Sequence, residues 1–200
     1  MGASILPITV HDGKILFLFG KERNIDENPG WSDFGGGTDN NETFIETASR
    51  EGAEEITGFL GEKNDITKIL KKNGTFNIDC TDPSGKYGTY RSHICPINYD
   101  EYLTIYYNNN QRFLQKHLSK KIIRDMKIFE KTEIKWFSFE ELQRNKKQFR
   151  KFYQKIVELI LKNKKNITKF MNNARKKNMR KKTKKLKIAN QKKTKKYRND

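Results

Sequence analysis

The chain has 200 residues, 34% of them hydrophobic, which supports one domain with its own core and leaves little for a second. Its net charge of +18 is uneven: residues 161–200 hold 18 Lys and Arg against the single acid Asp200, a net of +17 that leaves +1 for residues 1–160. No apolar run approaches the roughly 20 residues needed to cross a bilayer, and Cys80 and Cys95 lie in no metal-binding spacing, so reduced thiols in an intracellular protein are expected.

In chain order, Ser4 to Val10 and Lys14 to Gly20 are β-rich runs joined through Asp12-Gly13, a hairpin signal because both turn positions tolerate positive φ. A polar stretch leads to Trp31-Ser32-Asp33-Phe34 and then Gly35, Gly36 and Gly37, which are expected to end a strand and open a tight loop. From Glu42 to Ile56, Ile45, Ala48, Gly52 and Ile56 recur at helical spacing and predict a helix with its small, apolar stripe against a sheet. Gly58 can supply a left-handed stop. Ile66 to Lys72 predicts a short helix ended by Asn73-Gly74, and Thr75 to Cys80 and Tyr87 to Asn98 predict strands around a turn at Pro83 and Gly85. Asn110 to His117 reads as one helical turn, and Glu133 to Phe137 as a strand. Ser138 with Glu141 is a capping-box pattern for a helix that continues through Phe149, Phe152 and Tyr153 to Ile160.

The acids of residues 36–58 carry the chemistry. On a helix at 100° per residue, Glu51, Glu54 and Glu55 fall within about 100° of one another beside the apolar stripe. Carboxylates so placed repel, by about 0.2–0.5 kcal/mol per i,i+4 pair, so a cation should compensate them. Hard oxygen ligands suit Mg²⁺ or Mn²⁺. An adjacent pair of glutamates on a helix is ordinarily solvated surface; what sets this one apart is the company of Arg50, Glu42 and Gly36 at fixed offsets.

Gly36, five residues, Glu42, seven residues, then Arg50-Glu51-Gly52-Ala53-Glu54-Glu55 resembles the Nudix box. The chain departs from it at Gly52, where a bulky aliphatic residue is usual, and at Thr57, where the box has glycine. The resemblance implies an α/β fold, a Nudix-type α/β/α sandwich with a mixed sheet, over residues 1–160, and a hydrolase of phosphoanhydride bonds. It implies Glu51, Glu54, Glu55 and the Gly36 carbonyl as ligands of Mg²⁺ or Mn²⁺, and Glu54 as ligand or base. Arg50 and Glu42 become an ion pair that orients the glutamates. The run WSDFGGG and the Lys/Asn bias also resemble Nudix proteins of large DNA viruses.

The box does not choose a substrate. A nucleoside diphosphate linked to another moiety, capped RNA included, stands beside free nucleotides and dinucleotides, diphosphoinositol polyphosphates and a non-catalytic RNA-binding use of the fold. Trp31 and Phe34 are more ordinarily packing than base-stacking residues. Lys21, Arg23 and Arg91 are candidate phosphate contacts, and Glu101, Glu130 and Glu133 candidate additional acids, though each more ordinarily lies on a solvated surface. Residues 161–200 form a basic tail, expected to be largely disordered and suited to RNA or nuclear import.

Overall fold

A computed structural model describes residues 1–23, 29–39, 41–82, 84, 88–126, 130–177 and 179–180. The expected turn at 81–85 lies largely outside them, as do residues 181–200 of the tail. The chain forms two compact units, Met1–Lys164 and Lys165–Asp200.

The first unit is built on a mixed seven-stranded sheet in the order β3-β2-β1-β6-β5, with β4 also paired to β1 and β7 to β2. β1 (Gly2–His11) and β2 (Lys14–Glu22) are the expected hairpin, turning at Asp12 and Gly13 with φ of 47° and 73°. β1 runs parallel to β6 (Thr89–Pro96), which pairs antiparallel with β5 (Phe76–Thr81). β3 (Trp31–Ser32) pairs with β2, and β7 (Lys131–Ser138) pairs with it along seven positions.

Alternation along these strands sends side chains to two layers of helix. Ala3, Ile5, Leu18, Phe34 and Ile134 pack with Ala48 of α1 (Phe44–Glu55) and Ile56 at its C-cap, Ile66 and Leu70 of α2 (Lys63–Asn73), and Leu103 and Tyr107 of α3 (Glu101–His117). On the opposite face Phe19 meets Phe137, Phe149 and Tyr153 edge to face, with ring centroids 5.0–5.9 Å apart. This is the α/β/α sandwich with a mixed sheet.

Three local expectations are corrected. The glycines do not leave the sheet for a loop: β4 (Phe34–Gly37) pairs Gly35, Gly36 and Gly37 with Ser4, Ala3 and Gly2. A Cβ on Gly35 would overlap the Ser4 side chain and the Ala3 carbonyl, so the glycines serve close approach. α3 is seventeen residues and not one turn. Asp100 caps it by accepting from the Tyr102 amide at 2.8 Å, Leu103, Tyr107 and Gln111 bury one stripe, and Asn108 makes two bonds to the backbone of Ile134.

The helix opened by Ser138 does have its capping box, but α5 (Phe139–Asn145) stops, and α6 (Tyr153–Lys162) begins afresh. Between them Phe149 is extended and bridges to Trp31, which brings its ring among Phe19, Phe137 and Tyr153. A continuous helix could not do this. A short helix, α4 (Lys120–Asp125), was not legible. In the second unit the described residues are helical, with Ile167 and Met171, four positions apart, both buried; that apolar spacing is the helical signal within a run expected to be largely disordered.

Both departures from the box have a steric reading. Gly52 is where the Ile5 side chain comes through, since a Cβ there would stand 2.7 Å from Ile5 Cδ1. At the exit of α1, Thr57 has φ of 50° and Gly58 of 75°, so the left-handed stop begins one residue earlier than Gly58 and on a β-branched side chain. That conformation costs about 1–3 kcal/mol, and glycine relieves it at an entropic cost of about 0.5–1 kcal/mol. Thr57→Gly should therefore raise unfolding free energy in urea by about 1 kcal/mol, whereas a fall would show that the Thr57 side chain earns its place by contacts.

Candidate active site

α1 starts where Thr43 accepts from the Glu46 amide and Glu46 reciprocates to the Thr43 amide at 2.8 Å, a complete capping box. This fixes the helix so that Glu51 and Glu55, one turn apart, both face β4. Gly36 accommodates Glu51, whose Oε1 would lie 2.6 Å from a Cβ at that position. Gly35 donates its amide to Glu55 Oε2 at 2.8 Å. The two glycines thus receive two carboxylates.

Arg50 organises the near end. Its guanidinium donates to Glu42 Oε1 at 3.0 Å and Oε2 at 2.8 Å, to Glu51 Oε1 at 2.6 Å and to the Gly37 carbonyl at 3.1 Å. The hydrogen bonds from Arg50 hold the Glu42 carboxyl at about 2, well below the usual range, against a smaller desolvation effect. Glu42 in turn raises Arg50. The ion pair expected from the sequence is present, and it reaches Glu51 directly.

At the far end Glu55 is buried, and burial pushes its carboxyl well up, with the Lys131 charge opposing. Lys131 Nζ lies 3.3 Å from Glu55 Oε1, donates to Ser32 Oγ at 2.8 Å and pairs with Glu22. Burial works against that ammonium, and the Glu55 and Glu22 carboxylates overcome it and raise Lys131 above its ordinary value. Glu54 is half-buried beside these groups on α1.

The oxygen-only donors and the space Gly36 leaves for the Glu51 carboxylate fit a hard divalent cation. Among the described residues no three His, Cys, Asp or Glu side chains already stand together as an ion-holding group. Glu51 instead leans on Arg50, and Glu55 on Lys131.

Sequence reasoning missed Glu22, Lys131 and Asp33. Glu22 stands between Lys21 and Arg23, and Lys131 between Glu130 and Thr132-Glu133, so nothing in the sequence sets either apart from ordinary surface charge. Asp33 is buried on the α6 side of the sheet, where it accepts from Ser4, from Ser92 at 2.6 Å and from Tyr90 at 2.8 Å; burial raises its carboxyl despite these bonds. Trp31 and Phe34 are core residues. Arg91 is bound bidentately to Asp79 at 2.7 Å, Arg23 donates to the Ile123 carbonyl at 3.1 Å, and Lys21 lies 3.9 Å from Glu133. Glu101 sits in the first turn of α3.

A family model described as NUDIX domain matches residues 1–160. Among solved structures, an Ap4A hydrolase from C. elegans is similar at 16% identity, with 84% of this chain and 98% of that chain covered and a TM-score of 0.50. A Nudix hydrolase from M. smegmatis, RenU, is similar at 13% identity over 83% of this chain and 86% of that one, also at 0.50. Comparison with curated proteins returned no match.

The Arg50–Glu42 pair makes stability depend on acid. A carboxyl lowered from 4.5 to about 2 in the fold contributes stability that is complete above its unfolded value and lost as pH falls through about 2. Urea midpoints measured from neutral pH down to about 2 should fall less steeply in Glu42→Gln than in the parent, and the variant should be the less stable at neutral pH. Parallel profiles would place the pair in solvent.

Proposed function

The chain belongs to the NUDIX domain family, and we propose that it is a metal-dependent pyrophosphohydrolase cleaving a phosphoanhydride bond in a nucleoside diphosphate linked to another group. The observation that carries the reading is the seating of Glu51 and Glu55 on either glycine of β4, with Arg50 fixing the first and Lys131 the second.

Glu51, Glu54, Glu55 and the Gly36 carbonyl would hold Mg²⁺ or Mn²⁺. When bound, such an ion neutralises phosphate charge and makes a bound water acidic. Glu54 would orient the attacking water or take its proton at a carboxylate oxygen. Arg50 keeps Glu51 and the Gly37 carbonyl in place, so the loop that meets the phosphates does not have to order during the reaction. Glu54→Gln and Glu55→Gln should each lower turnover by about 100-fold or more with saturating Mg²⁺ while the circular dichroism spectrum stays that of the parent. Substrates to screen are capped RNA, dinucleoside polyphosphates and diphosphoinositol polyphosphates. Parent-like turnover by both variants would sink the assignment of these residues.

The concentration of +17 in residues 161–200 favours RNA-linked substrates over free nucleotides. Because Ile167 and Met171 are buried, the clean cut removes residues 181–200, which carry ten of the 18 basic residues. Each phosphate contact contributes a slope of about −0.7 in log affinity against log salt for single strands, so the shortened chain should bind RNA with a flatter salt dependence and cleave a small dinucleotide at the parent's rate. Equal slopes between about 50 and 200 mM salt would mean that these residues do not touch RNA.

A further inference from the structure

Lys131 is 1% exposed, in a position where an ammonium is costly unless every proton finds an acceptor. It has three: the Glu22 carboxylate, Ser32 Oγ and Glu55 Oε1. Two features of the backbone make room for it. Gly20 has no Cβ, and one there would come within 2.8 Å of Lys131 Cδ. The pairing of β2 with β7 shifts register between Lys21, opposite Glu133, and Glu22, opposite Lys131. Thr132 is the extra residue, and the bulge turns Lys131 onto the face that Ile134 shares with α1.

Charge balances locally. Arg150 donates to Glu22 at 2.9 Å, so two cations face the two carboxylates of Glu22 and Glu55. Glu55 uses one oxygen for Lys131 and the other for the Gly35 amide, which fixes the plane of its carboxylate. Its main chain is tied to the same strand, because the Tyr107 hydroxyl lies 2.9 Å from the Glu55 carbonyl and 3.2 Å from that of Lys131.

We propose that Lys131 is a positioning residue whose ammonium is a resident cation between Glu22 and Glu55, so that Glu55 is oriented before any metal arrives and the site takes one divalent ion fewer. The proposal rests on the reading of Glu55 as an ion ligand. It treats the Glu22–Glu55 gap as a cation place already filled by the chain itself.

The test counts Mn²⁺ bound to the metal-free full chain by electron paramagnetic resonance. Lys131→Met keeps the length and removes the charge, and it should bind one more Mn²⁺ per chain than the parent and gain more thermal stability from Mn²⁺. Adding Glu22→Gln to it should return the count to the parent's. If the Met variant is unfolded without metal, Mn²⁺ should restore its fold. Glu22→Gln alone leaves the ammonium to Glu55 and should weaken Mn²⁺ binding by about tenfold, the scale of an outer-shell partner. Equal counts in parent and Met variant, a Met variant that stays unfolded with Mn²⁺ while the double variant folds, or unchanged affinity in Glu22→Gln would each overturn the proposal. A parent that binds no Mn²⁺ would instead remove the metal reading, and the difference between parent and Met variant would still decide the role of Lys131.

Discussion

The close approach of α1 to β4 is the constraint on which the rest of the site depends. It is possible because Gly36 carries no side chain toward Glu51, and because Gly52 gives way to Ile5 of β1. Close packing then turns two carboxylates, which would repel on a free helix, toward backbone amides and neighbouring cations. The fold supplies the compensation that an isolated segment would lack. A Cβ at Gly36 would displace the Glu51 carboxylate, and one at Gly52 would meet the Ile5 side chain on which the helix is seated.

Each carboxylate is stabilised by a different kind of cation. Arg50 is on the helix itself and spreads its fork over Glu42, Glu51 and the Gly37 carbonyl, so its work is local and partly exposed to water. Lys131 comes from another strand and is sealed from solvent, where a lost partner would leave an uncompensated charge. The outer pair is partly open to water. The inner one is held by Gly20, the bulge at Thr132 and the Tyr107 hydroxyl, all of which would have to move together.

What was legible in the sequence was local. Asp12-Gly13 gave a hairpin because its turn needs positive φ at both positions, and Ser138 with Glu141 closes its capping box within four residues. The helical spacing of Ala48, Gly52 and Ile56 located the buried stripe of α1, and the resemblance to the Nudix box implied the ion pair of Arg50 with Glu42. α3 was hidden because its run of Tyr and Asn has modest helix propensity and gains its stability from Asp100 and from packing.

By itself the sequence determined the α1 helix and which acids lie on one edge of it, because those follow from periodicities of a few residues, while the sandwich followed from the resemblance to the Nudix box. Only the tertiary structure decided that Glu51 meets Arg50, that Phe149 breaks a helix to reach Trp31, and that Lys131 enters the core between Glu22 and Glu55. Lys131 and Glu22 are 109 residues apart, and their meeting depends on a one-residue shift in strand register. Such a shift reverses which face a side chain takes and leaves no mark on composition or spacing, since it is set by how two strands fit and not by either strand alone.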